Sequence, residues 1–366
     1  MRIFHVSNEQ FTELDGLPEV LPEQGFLWVG SARREFEVRA PEVQGALQRW
    51  TGGQLVDLHI ADLLNHQLPS HYDYTSWYDV LVFRRLAAGA GTAGKFFGEE
   101  QGTAATAREA LAAIDTSPVG FALFDRVLVT VHPTDCAVRD FFAQRLGGLA
   151  GSGDPRGNAR LPVHPADLML RMVNHMVDGY LDLRRLLTRQ LGTLQAQLLD
   201  PRNRFADWQI LLESRNTLHA LEDICEDQRS AVQEWIDALD EWPDEAEPQS
   251  RRERELLRVR SRDVLEHIER VLGHVRRLEQ SAETAVQMHF SALGHRTNDI
   301  MRTLTVLTAI FLPLNLITGF FGMNFDALPL IHSATGLWVA LGLMALVGVG
   351  LVVFFRSKRY LGGGPR

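Results

Sequence analysis

Some of the side chains in this chain best able to do chemistry are neutral amides and hydroxyls set among apolar residues. Gly322, Met323 and Asn324 lie between two stretches without formal charge, and the amide of Asn324 faces no obvious partner. Upstream, Asn298, Met301, Leu304, Thr308, Leu312, Asn315 and Gly319 follow at steps of 3, 3, 4, 4, 3 and 4, so all seven share one helical face. That face carries amides, a hydroxyl and a glycine, whereas its opposite carries Val306, Ala309, Ile310 and Phe320. Polar side chains at bilayer depth avoid lipid and turn to a partner helix or to water. Two readings stay open. The polar groups glue helices together, or, in a symmetric ring of copies, each becomes a ring of neutral oxygens around a central pore. Pro313 removes one backbone donor and frees the carbonyl of Ala309, giving a bend or one more oxygen.

The elements that position these residues follow from the distribution of charge. The chain has 366 residues, 45% hydrophobic and 23% charged, with a net charge of -9, which suits two globular domains or one domain with an appendage. From Thr303 to Phe325 there are 23 residues without formal charge, and from Ala327 to Phe355 there are 29 more. About 20 helical residues cross a bilayer core, so each run is long enough to span it. No Lys or Arg lies between the runs, whereas Arg296 and Arg302 precede the first and Arg356, Lys358 and Arg359 follow the second. The positive-inside rule then places both termini in the cytoplasm and only the short loop around 322–336 outside. The opening "MRIFHVSNEQ" has no charged segment followed by an apolar run, so no cleaved signal peptide is expected. Cys136 and Cys225 are the only cysteines, which excludes a disulfide framework and suggests inert buried thiols.

Before the spans the chain has two textures. Residues 1–146 alternate β-rich runs at 25–30, 55–60, 78–86 and 120–132 with helical patterns around 41–51, 103–115 and 134–147. Asp125-Arg126 is the expected turn of a hairpin inside the last run. This mixture predicts a layered α/β domain closed by the Gly-rich "GGLAGSGDPRGN". From Pro165 onward the pattern is helical, with helices expected over 167–199, 205–242 and 251–321. Within the last, Val264, Ile268, Val271, Val275, Leu278, Ala282 and Ala285 form a heptad stripe over three repeats. The stripe packs either against copies of itself or against the preceding helices, and its spacing does not choose.

Catalytic signatures are lacking. "GAGTAG" at 89–94 matches a dinucleotide fingerprint after a strand, but "KFFGEEQGT" does not open an amphipathic helix, so it reads as a flexible connection. There is no His-Glu-x-x-His, Gly-x-Ser-x-Gly or Walker lysine, and the thirteen histidines are scattered. Neither an enzyme nor a nucleic-acid partner is expected.

These residues carry a resemblance. "MRTLTVLTAIFLPLNLITGFFGMNF" (301–325) is similar to the end of the first transmembrane helix of the CorA family of divalent-cation transporters, including its Gly-Met-Asn signature at Gly322, Met323 and Asn324. "RDVLEH" (262–267) resembles its stalk, "VLVTVHP" (127–133) and "LHIADLLNHQLPSHYDY" (58–74) its cytoplasmic α/β domain, and "RSKRYL" its closing basic segment. The resemblance implies an α+β membrane protein assembled as a funnel-shaped homopentamer in an inner membrane. Its parts would be an α/β/α cytoplasmic domain (1–162), a helical region (163–250), a stalk helix (251–302), a first transmembrane helix (303–325), an outer loop (326–336), a second transmembrane helix (337–355) and a basic tail (356–366).

Under this resemblance Gly322, Met323 and Asn324 form the selectivity filter, and the seven-residue face lines the pore. The implied cargo is Mg²⁺, with Co²⁺ and Ni²⁺ as further candidates. Phe321 stands where the magnesium branch often has Tyr, and the loop offers Asp326 as its cation attractor together with His332. The ZntB-like zinc branch, and hence Zn²⁺, is the alternative, and a membrane-anchored scaffold that transports nothing is a further one. By its spacing to Asn298, Asp263 matches an acidic residue that in this family binds regulatory Mg²⁺ between cytoplasmic domains. Glu266 lies one turn on, and Asp62 and Asp79 are candidates for the opposing ligand.

Overall fold

The computed structural model describes residues 1–8, 10–88, 114–152, 160–199, 208–242, 248–323 and 334–358, and it divides into two compact units, Met1–Val286 and Gln287–Arg366. The first unit is built on a seven-stranded sheet. Its strands are β1 (Arg2–Val6), β2 (Phe11–Leu14), β3 (Phe26–Ala32), β4 (His71–Tyr74), β5 (Asp79–Arg84), β8 (Pro118–Phe124) and β9 (Val127–His132). The spatial order is β2-β1-β3-β9-β8-β5-β4, with β3 and β9 parallel and every other pair antiparallel. A separate short pair is formed by β6 (Ala87–Ala88) and β7 (Ile114–Asp115).

The two-residue period of a strand sorts side chains to the two faces. Phe26, Trp28, Leu81, Phe83, Phe121, Leu123 and Leu128 enter one core; Val29, Val80, Val82, Ala122, Phe124, Val127 and Val129 enter the other. The second face is covered by α1 (Arg33–Thr51) and α2 (Asp57–Leu64). The first is covered by helices that follow the sheet in sequence: α3 (Ala137–Ser152), α4 (Pro165–Asp178), α5 (Tyr180–Leu199), α6 (Trp208–Glu241) and the start of α7 (Pro248–Phe321). The result is an α/β/α sandwich.

Three expectations change. Residues 55–60 are not a strand: α2 begins at Asp57, whose carboxylate suits a helix N-terminus, and buries His59 and Leu63 four residues apart. It seats against Gly120, where an added Cβ would meet Leu63 Cδ2 at 2.5 Å. The helix placed at 41–51 starts at Arg33, with Pro41 inside it. The Gly-rich 147–158 stretch is helical as far as Ser152. The 103–115 helix and the 89–94 loop fall outside the described residues, except that 114–115 is strand.

The heptad stripe is buried within this chain. Val264, Ile268, Val275 and Ala282 are at most 1% exposed, in one core with Met169, Val173, Leu187, Leu191, Leu221 and Trp235. Polar contacts lock the same seam. Trp235 Nε1 donates to Ser261 Oγ at 2.9 Å, and Gln195 Nε2 donates to Ser281 Oγ at 2.9 Å. Arg254 Nη2 donates to the carbonyls of Leu239 and Asp240. The stripe therefore builds the cytoplasmic unit and does not wait for a second copy. Its burial stops near Ala285, and every residue from Ser291 to Ile300 is exposed although the helix continues.

The second unit holds the rest of α7 and α8 (Ala334–Ser357), both long and apolar enough to cross a membrane, with few of their residues buried.

Candidate functional site

The last third of α7 is two-faced. Asn298, Met301, Leu304, Thr308, Leu312, Asn315 and Gly319 are all exposed. At 100° per residue they occupy an arc of about 120°. Arg302, Val306, Ala309, Ile310, Pro313, Leu314, Ile317 and Phe321 are buried or half-buried. They occupy a separate arc of about 140°. This second face is the one toward α8: an added Cβ on Gly348 would meet Leu314 Cδ2 at 3.9 Å, and Val306 shares a cleft with Phe355. The chain thus covers one apolar face with its own second span and leaves bare the face that carries Thr308 and Asn315, together with Leu307, Phe311, Leu316 and Phe320, the last of which was expected on the covered side.

The hydroxyl on that face is already committed as a donor. Thr308 Oγ1 donates to the Leu304 carbonyl at 2.9 Å, and Thr305 and Thr318 likewise donate to carbonyls of their own helix. With its proton turned inward, Thr308 offers outward only oxygen lone pairs, an acceptor surface suited to a cation or its waters.

At the end of α7 the Gly322 amide donates to the Thr318 carbonyl at 2.9 Å, and that of Met323 to Phe320 at 3.4 Å. A Cβ on Gly322 would stand 2.9 Å from the Thr318 oxygen, closer than real Cβ contacts come, so the chain turns here only with glycine. Asn324, Asp326 and His332 lie outside the described residues.

The acidic residues of the first unit are dispersed. Asp263 is exposed, 3.9 Å from His267 Nε2, and Glu266 is exposed, 3.9 Å from Arg270. Their hard oxygens suit Mg²⁺. Yet neither belongs to any three-ligand group among the described residues, so one chain supplies at most part of a site. Asp62 lies 3.9 Å from His71. Asp79 is sunk beneath Tyr72, whose hydroxyl donates to Asp79 Oδ1 at 2.9 Å; burial, reinforced by nearby Asp125, pushes its carboxyl up to about 6. Asp79 is thus half-buried and already committed as an acceptor to Tyr72, with less of its carboxylate open to a neighbouring copy than Asp62 has.

One cluster escaped the sequence reading. His219, Glu222 and Glu279 bring their ligand atoms within 4.8 Å of one another, joining α6 to α7 across 57 residues of sequence, with only the His-x-x-Glu spacing as a signal. Arg276 already occupies it: its Nε donates to Glu222 at 2.6 Å and holds that carboxyl below its ordinary range, and a second nitrogen pairs with Glu226. Glu279 is shifted the other way, by burial and by its hydrogen bond to Glu222. The cluster is a salt-bridge knot between helices. Cys136 and Cys225 are both buried, and burial pushes the Cys225 thiol up to about 12, as inert thiols require.

Comparison with known proteins agrees with this architecture. The solved magnesium transporter CorA from Methanocaldococcus jannaschii superposes with a TM-score of 0.70 over 99% of this chain and 98% of that one, at 17% identity. The full-length CmaX protein gives 0.59 over 98% and 97%, also at 17%. In sequence, the cobalt/magnesium transport protein CorA of Thermotoga maritima is 32% identical over 100 residues, 27% of this chain and 28% of that protein. The putative metal ion transporter YfjQ of Bacillus subtilis is 45% identical over 65 residues, 18% of this chain and 20% of its own. These matches thus span under a third of either relative. The model of the CorA-like Mg2+ transporter protein family matches residues 104–359, well over half of the chain, and the chain belongs to that family.

Proposed function

We propose that this chain is one subunit of a homopentameric channel for divalent metal cations, Mg²⁺ foremost, set in a bacterial-type inner membrane with both termini in the cytoplasm. The observation that carries this reading is that Thr308 and Asn315 lie bare on α7, away from the face that α8 covers. In lipid, the uncovered amide of Asn315 would lack a partner, so other copies must supply a protected lumen. Met288, Phe290, Leu293 and Ile300, exposed on α7 before the apolar run begins, add apolar surface that a ring of copies would cover.

Mg²⁺ gives up its waters reluctantly, so the filter has to accept a hydrated ion. Rings of Asn324 amide oxygens can take hydrogen bonds from those waters, whereas rings of carboxylates would hold the ion too tightly for release. Thr308 and Asn315 supply later rings of neutral oxygen, and Leu304 and Leu312 supply constrictions able to gate by dewetting. A divalent ion moving inward gains about 4.6 kcal/mol per 100 mV of membrane potential. In the cytoplasmic unit, an ion shared between Asp263 and Glu266 of one copy and ligands of the next would hold the assembly shut. Loss of that ion leaves facing carboxylates to repel.

The test is flux into liposomes holding the purified chain, measured separately for Mg²⁺, Co²⁺, Ni²⁺ and Zn²⁺. Mg²⁺ flux that is abolished by Asn324→Ala, in a protein of unchanged mass and melting, is the expected result. Flux of Zn²⁺ alone would move the chain to the zinc alternative, and no flux of any ion would leave a scaffold.

A further inference from the structure

The second unit contains a cleft of about 690 Å³ between α7 and α8. Its apolar wall is Met301, Val306 and Phe355, its charged residues are Arg302, Lys358 and Asp299, and Asn298, at the edge of the exposed face, adds an amide. Arg302 is the last charge before the 23-residue apolar run, and Lys358 comes three residues after the second run ends at Phe355. The two spans run in opposite directions, so these cations reach the same membrane boundary, and the structure brings both into one cleft. Apolar groups deeper and basic groups at the rim match an amphiphile whose acyl part lies beside Phe355 and whose acidic head lies between Arg302 and Lys358. The cleft holds two cations against one carboxylate, which favours a headgroup of net negative charge over a zwitterionic one. Thr305, also in its lining, donates its hydroxyl proton to Met301 and adds no donor for the head.

We propose that this cleft binds the phosphate headgroup of an anionic phospholipid from the cytoplasmic leaflet. The proposal rests on reading α7 and α8 as membrane spans with cytoplasmic basic ends, and does not depend on what ion the protein carries. A lipid wedged there would tie the base of α8 to α7 at the point where the chain itself leaves them apart.

The probe is phosphatidylglycerol, offered to the delipidated full-length protein in detergent and counted by native mass spectrometry, beside phosphatidylcholine, phosphatidylethanolamine and millimolar inorganic phosphate. The expected result is selective retention of phosphatidylglycerol, reduced about fivefold in Lys358→Gln and again in Arg302→Gln. Inorganic phosphate should not displace it, because it has nothing to lay against Val306 and Phe355. Equal retention of the three lipids would overturn the proposal, as would retention unchanged in Lys358→Gln, a surface substitution that should not disturb folding. No retained lipid at all would mean that a neighbouring subunit fills the cleft, which also overturns it. Ion flux measured on the same samples separates the readings: a wild-type protein that binds phosphatidylglycerol but transports nothing refutes the channel and leaves the lipid site standing.

Discussion

Asp79 sits where the sheet meets the helical layer and gives a quantitative test of the cytoplasmic fold. Its carboxyl is raised from 3.8 to about 6, chiefly by burial, with Asp125 adding to the shift and the Tyr72 hydrogen bond opposing it. The folded chain therefore binds the extra proton between about pH 4 and pH 6, where the unfolded chain has already released it. Stability falls as pH rises through that window, and the cost is complete above about 6. Moving the carboxyl from 3.8 to about 6, at 1.36 kcal/mol per pH unit, comes to roughly 3 kcal/mol. Asp79→Asn keeps the shape and the acceptor for Tyr72 but carries no charge. It should stabilise the protein at pH 7.5 by up to about 3 kcal/mol, or roughly 5–10 °C in melting temperature. The gain should shrink between pH 6 and pH 4 and vanish below that. Thermal melting of the detergent-purified chain across pH measures it. A gain that persists at pH 4, or none at pH 7.5, would show that the fold does not raise the Asp79 carboxyl. Because Asp79 is sheltered, the same variant should keep the wild-type response of flux to internal Mg²⁺.

Val275→Ala removes two methyl groups from a side chain with no exposure, so the loss should be about 2–3 kcal/mol with the oligomer's mass unchanged, whereas Val259→Ala, 56% exposed on the same helix, should cost less than about 0.5 kcal/mol. A dissociated oligomer of unchanged melting in Val275→Ala would restore the stripe to a subunit interface. Asp263→Ala should raise the internal Mg²⁺ concentration needed to inhibit flux, recorded while internal Mg²⁺ is stepped; inhibition at the wild-type concentration would remove Asp263 from regulation.

Much of this was legible in the residues. Strands β3, β5 and the β8–β9 hairpin, with its turn at Asp125-Arg126, show in the sequence because β-branched and aromatic side chains are dense there and the core takes both faces. Strand β4, "HYDY", escaped because one polar edge strand lacks that density, and β1 and β2 because they are short. The run at 55–60 misled because Val56 and Ile60 favour a strand locally, while packing of His59 and Leu63 against the sheet decides for a helix. The heptad stripe told which residues of α7 are buried but not against what, since an a/d pattern is the same whether the partner is a preceding helix or another copy. The polar face of the site was readable because a few amides stand out against Leu, Ile and Val at helical spacing. That α8 would take the opposite face was not readable, because the uniformly apolar α8 marks no side of its own.

The separation of those two faces fixes how wide a lumen the proposed ring can have. If α8 stays outside, each copy contributes one helix to the wall, and with axes about 9.5 Å apart the bore depends only on the number of copies. Subtracting a helix half-width of about 5 Å leaves a free radius of roughly 1.7 Å for four copies, 3 Å for five and 4.5 Å for six. A Mg²⁺ ion with its first shell of water has a radius of about 3.5 Å. Four copies would have to strip the ion and six would let it slip past without touching the wall. Five hold it at hydrogen-bonding range of the side-chain oxygens, with Gly319 giving the extra room at its level.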